Sequence, residues 1–141
     1  MPPDTQTAPV SKKGLLAGRI MSGLIIAFLA FDGVFKFVKP APAPVVETFA
    51  RLGWSLGLAP VLGIVLLVST ALYAIPKTSV LGAILLTGYL GGAIATHLRV
   101  GDPLFSHVLF PTYIGVLLWG GLYLRDNRLQ ALIPFRTSPT A

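Results

Sequence analysis
Four long apolar runs, broken by short polar stretches that carry proline or glycine, set the layout of the chain. Gly14–Val38 is the first run. Lys12 and Lys13 precede it, as they would a signal peptide. The run is far longer than a signal core of about 7–15 residues and lacks a clean small-x-small cleavage site, so it reads as a retained span. Lys39-Pro40-Ala41-Pro42-Ala43-Pro44 follows; alternating prolines cannot continue a helix and favour an extended connector. Val45, Phe49, Leu52 and Leu56 then recur at helical spacing, with Glu47 and Arg51 as an i,i+4 pair on another side. This predicts a short amphipathic helix at the membrane interface, with Trp54 as its anchor; a plain loop is the simpler alternative.

Pro60 opens the second span, which runs to Ile75, at the short end for a bilayer. Pro76-Lys77-Thr78 makes a tight turn, and Ser79–Leu98 forms the third span. In Gly101-Asp102-Pro103, Asp102 is the expected N-cap and Pro103 the first helical residue of the fourth span, which continues to Leu124. Arg125, Asp126, Asn127 and Arg128 end it in water. The expected fold is all-α: an integral-membrane four-helix bundle over residues 14–128, with a short interfacial helix between the first and second spans. Residues 1–13 and 129–141 read as polar, proline-bearing cytoplasmic tails, the first of them disordered and the second beginning with a short interfacial piece.

Composition agrees with this layout. Hydrophobic residues make up 54% of the 141 and charged residues only 11%, too few to cover a water-facing surface. Disorder, a coiled coil and a nucleic-acid-binding domain are excluded on that ground. The net charge of +6 is spread along the chain beside the apolar runs, as topology-setting charges are. Lys12, Lys13, Arg19, Lys77, Arg125, Arg128 and Arg136 fall on the side of the termini. Lys36, Lys39, Arg51 and Arg99 fall opposite, offset by Asp32, Glu47 and Asp102. The excess places both termini in the cytoplasm and the protein in the inner (plasma) membrane. With no cysteine, disulfides, thiol redox chemistry and Cys-ligated metals are excluded within the chain.

The candidate chemistry lies at the non-cytoplasmic end. Asp32 and Lys36 form an i,i+4 pair near the end of the first span, with the acid about 10 Å inside it if the span ends at Val38. A carboxylate there needs a partner or a watery cavity. The pair either snorkels to the headgroups or floors a polar cavity. His97, Arg99, Asp102 and His107 flank the connection between the third and fourth spans, on the same side. Asp32, Lys36, His97, Arg99 and Asp102 are the candidate ligand-binding residues; Asp32, His97 and His107 are the candidate acid–base residues. No H-x-x-x-H or H-E-x-x-H spacing occurs, and no metal site is expected. Pro111, inside the fourth span, is expected to kink it and free the carbonyl of His107. Gly88, Gly92 and Thr96 on the third span, and Gly14, Gly18 and Ser22 on the first, read as close-packing seams. Tyr73, Trp119 and Tyr123 read as aromatic-belt anchors.

The segments FDGVFKF (31–37), VVETFARLGW (45–54) and GYLGGAIATHLRVGDP (88–103), with His107, Pro111 and LYLR (122–125), resemble the DoxX-like family of small four-helix membrane proteins. The resemblance covers residues 14–128. It implies a four-helix membrane bundle and, because the wider family includes a membrane subunit associated with thiosulfate:quinone oxidoreductase, a quinone-linked redox partnership with quinone as cofactor. Related animal proteins resemble membrane assembly helpers. Three functions stand beside one another. The first is an accessory or binding subunit that holds a lipid, a quinone or a membrane or redox partner protein, or that forms a homo-oligomer. The second is an integral-membrane enzyme acting on a lipophilic substrate, and the third a small proton-coupled transporter.

Overall fold
The computed structural model describes residues 10–133, so the expected tails at 1–9 and 134–141 lie outside the described residues. All regular structure within them is helical. Helix α1 spans Lys12–Phe35, and the side chain of Ser11 caps it by accepting from the amide of Gly14 at 3.1 Å. Lys12 and Lys13 therefore belong to the helix. It stops at Phe35 rather than Val38, so Asp32 stands less than one turn from its end. Helix α2 spans Ala43–Arg51, with Val45 and Phe49 buried and Leu56 exposed, so the apolar stripe ends with the helix.

A 3₁₀ turn, Leu56–Leu58, leads into α3 (Ala59–Ala74), with Pro60 in the first turn where its missing N–H costs nothing. Together they rise about 30 Å, which resolves the shortness of the second span. Helix α4 spans Ser79–Arg99. The last span is not one continuous helix. A π-helical turn, Leu104–Val108, gives way at Leu109 to α5 (Phe110–Arg125), and α6 (Asn127–Leu132) follows. Pro111 lies in the first turn of α5, so no i−4 bond is broken there and the expected mid-helix kink is replaced by a junction between two helices.

Four helical stretches are long and apolar enough to cross a membrane. They stand at the corners of a square, with α1 and α4 each packed on both α3 and α5. Most of each span's surface faces outward and is apolar, as with Leu16, Leu24, Val61, Val68, Ile84 and Val116. In lipid that exposure carries no penalty, and the helices associate by close packing and hydrogen bonds.

Close packing marks the end bearing the termini. A Cβ on Gly18 would come within 2.8 Å of the Gly121 carbonyl, and one on Gly121 within 2.7 Å of Ser22 Oγ, so the small residues of α1 form a seam with α5. A Cβ on Gly82 would meet the backbone of Tyr73 at 2.1 Å. Tyr73 is fully buried; its hydroxyl donates to the Leu118 carbonyl at 2.7 Å and lies 3.0 Å from Ser22 Oγ. It is a core residue and not a belt anchor, because the hydroxyl finds partners inside the bundle. The stripe on α4 also departs from expectation: a Cβ on Gly88 or Gly92 would meet nothing within 4 Å. These glycines are no seam, because they face the diagonal of the square, where no helix packs.

Candidate functional site
Two helix ends built alike shape the end remote from the termini. After α2, Gly53 takes φ +69°, its amide bonds the Ala50 carbonyl, and the Trp54 amide bonds the Phe49 carbonyl. This is a Schellman turn, in which a residue just past the helix folds back over one in its last turn. Trp54 accordingly sits edge-on to Phe49, ring centroids 6.3 Å apart, instead of reaching the headgroups as an anchor. After α4, Gly101 takes φ +72°, its amide bonds the Leu98 carbonyl, and the Asp102 amide bonds the His97 carbonyl. The same geometry brings Asp102 over His97. An apolar contact usually fills that position; here a carboxylate meets an imidazole.

Asp102 Oδ2 lies 2.5 Å from His97 Nδ1, and Oδ1 accepts from Arg51 Nη1 at 2.7 Å. The expected N-cap role fails, because both carboxylate oxygens are engaged and Pro103 occupies the cap position without a side-chain bond. Arg51, expected to pair with Glu47, pairs with Asp102 instead. The hydrogen bond from His97, reinforced by the charge of Arg51, holds Asp102 below the ordinary carboxylate range. An ionised Asp102 accepts only, so Nδ1 of His97 carries the proton between them, and Nε2 has no partner among the described residues. Arg99 donates to the carbonyl of Leu52, tying the end of α4 to the turn after α2.

On the opposite corner, Lys36 Nζ donates to Asp32 Oδ2 at 2.6 Å and to the Asp32 carbonyl at 3.2 Å. The lysine side chain is only 11% exposed and the aspartate 44%. The cation therefore folds back and does not snorkel.

Between the corners lies a cleft of about 550 Å³. It exists because α1 and α4 face each other across the diagonal while α2 spans the end above them. Phe28, Phe49, Trp54 and Phe110 supply aromatic wall, and Gly88 and Gly92 leave its α4 side open. Phe28 and Phe110 meet edge to face at 6.0 Å. The polar lining includes Asp32, Lys36, Tyr89 and His97.

Of the sequence candidates, Asp32, Lys36 and His97 thus share one cleft. Asp102 stands behind His97, and Arg99 holds the α2 turn. His107 sits on the π turn, its ring 5.9 Å from that of His97 and its Nδ1 2.8 Å from Ser106 Oγ. None of these three lines the cleft. Arg51 and Tyr89 were not anticipated. Arg51 could have been found from the topology, which puts it on the same membrane face as Asp102. Tyr89 lies two turns before His97 and so on nearly the same face of α4, a signal present in GYLGGAIATH.

A family model described as the DoxX-like family matches residues 20–121. The chain belongs to the DoxX-like family, and with its four candidate spans it is a multi-pass membrane protein. No curated protein and no solved structure matches it.

Proposed function
We propose that this DoxX-like protein is an accessory, ligand-holding component of the inner membrane, which keeps an amphipathic molecule such as a lipid or a quinone in the cleft between α1 and α4. The observation that carries this reading is the cleft itself: about 550 Å³ of mostly apolar lining with a few polar groups. That is the size and character of a site for a lipophilic small molecule. The excess of Lys and Arg at the end bearing the termini supports a cytoplasmic location for both, which puts the cleft in the outer half of the membrane. A membrane or redox partner protein, or a second copy, would then meet the ligand through the lipid-facing side.

An enzyme is the second reading, favoured by one observation. His97, backed by Asp102, shares the cleft with Asp32, an arrangement able to take and return a proton. The transporter reading has less support, because Asp32 is tied to Lys36 rather than free to cycle.

The test is to purify the whole chain in mild detergent and record native mass spectra beside a Gly92→Leu variant. Nothing lies within 4 Å of a Cβ at Gly92, which lines the cleft, so the first carbon of a leucine there meets no neighbour and the rest of its side chain takes up cleft volume. The wild type is expected to carry a stoichiometric lipophilic adduct that the variant has lost. A folded wild type with no adduct refutes the reading.

A further inference from the structure
The balance of donors and acceptors around the cleft selects among amphipathic ligands. The cations near it already have partners within the protein. Lys36 gives two of its three donors to the carboxylate and carbonyl of Asp32. Arg51 is bound to Asp102, and Arg99 to the carbonyl of Leu52. The charges at the site therefore cancel in pairs, Asp32 with Lys36 and Asp102 with Arg51.

One carboxylate oxygen in the cleft is left open. Asp32 is 44% exposed and lines the cleft, and among the described residues its second carboxylate oxygen has no hydrogen-bond partner. His97 also lines the cleft; its Nδ1 is held by Asp102, and among the described residues its Nε2 has no partner. Thr96, a third lining residue, donates its hydroxyl proton to the Gly92 carbonyl at 2.7 Å and so offers only lone pairs. The hydroxyl of Tyr89 can serve either way.

We infer that the cleft selects an uncharged, hydroxyl-bearing lipophile, its O–H donating to the free carboxylate oxygen of Asp32, over a phosphate- or carboxylate-headed lipid. This rests on the proposed ligand-holding function and narrows it. An anionic head would meet the Asp32 carboxylate, whose lysine is already bound to it. A head with only carbonyl or ether oxygens would leave the free oxygen of Asp32 without a donor, the costly side of a hydrogen-bond mismatch. The aromatic walls fit an unsaturated or isoprenoid body.

Three probes sharing one apolar body separate the possibilities: farnesol, farnesyl methyl ether and farnesyl phosphate. They are competed for the whole chain in mild detergent, with native mass spectrometry as the readout. The alcohol is expected to be retained about tenfold over the ether, the worth of one hydrogen bond to a charged acceptor, and over the phosphate by at least as much. In Asp32→Asn, Lys36 loses its carboxylate and the phosphate gains on the alcohol, a reversal that a merely structural role for Asp32 would not produce. Equal retention of alcohol and ether, or preference for the phosphate, by the wild type overturns the inference but leaves the ligand-holding reading standing. If all three probes bind the wild type no better than Gly92→Leu, both fall.

Discussion

Replacing Gly82 by alanine adds one methyl group where α4 crosses α3. Its carbon would stand 2.1 Å from the amide nitrogen of Tyr73, 2.5 Å from its Cα and 2.7 Å from the carbonyl carbon of Leu72. All three are backbone atoms, so no rotamer change relieves the clash. The tight turn at Pro76–Thr78 holds the two helices together at this end, so α3 must shift by on the order of 1 Å. That shift carries Tyr73 with it and strains its bonds to Leu118 and Ser22. Overpacking of this kind costs about 1–3 kcal/mol or more, against which alanine returns up to about 1 kcal/mol of helix propensity. Gly88→Ala and Gly92→Ala on the same helix meet nothing within 4 Å and keep only the favourable part. Gly82→Ala is thus expected to lie about 1–3 kcal/mol below Gly88→Ala, since the propensity gain is common to both. The assay is reversible unfolding in mixed detergent micelles followed by circular dichroism. If Gly82→Ala is as stable as Gly88→Ala, the close approach of α3 and α4 is wrong, and with it the contrast between Gly82 and the open positions Gly88 and Gly92 on the same helix.

Two further outcomes follow from the charges. Arg51→Ala is expected to speed amide hydrogen exchange throughout Ala43–Arg51, because it removes the ion pair that ties α2 to Asp102, whereas Glu47→Ala leaves exchange unchanged; equal effects would restore the Glu47–Arg51 pairing. Asp102 is held below the ordinary carboxylate range, so its contribution to stability is complete above that range and is lost as the pH falls from there through the lowered folded-state value. The difference in Tm between wild type and Asp102→Asn should therefore begin to shrink as the pH falls below about 4 and go on shrinking in stronger acid, and a difference that stays constant or grows on acidification would rule this out.

The spans were legible because lipid imposes a length and an apolar composition on each helix separately. Alternating prolines and the heptad-like spacing of Val45, Phe49 and Leu52 made α2 legible for the same local reason. Pairings across the bundle were not. Glu47 and Arg51 satisfy the i,i+4 rule, yet the pair is exposed and worth a few tenths of a kcal/mol. Asp102 offers Arg51 a carboxylate only 7% exposed, already ionised by its bond to His97. Asp102 itself was readable in two ways. Before Pro103 it resembles an N-cap; after Gly101 it is the residue that a Schellman turn folds back over His97. Glycine at positive φ decides, because it fixes the backbone first and leaves the carboxylate to follow.

Small residues on membrane helices pose a related ambiguity, and it determines where the cleft lies. Gly18, Gly82 and Gly121 each meet a backbone atom within about 3 Å of where a Cβ would be, so their smallness serves contact. Gly88 and Gly92 meet nothing, so theirs serves volume. Spacing cannot separate the two uses, since GxxxG describes one helix and contact requires a second. The square decides: residues facing an adjacent helix are pressed by it, whereas those facing the diagonal are not. At the end bearing the termini the diagonal is filled by Tyr73, Leu118 and Leu122, all essentially buried. At the other end α4 turns glycines inward, and α1 answers with Phe28 and Asp32 across the gap. Bulky residues at 88 and 92 would take up that gap from positions where the first side-chain carbon meets no neighbour, so these two glycines are the positions at which ligand capacity can be removed while the bundle is kept.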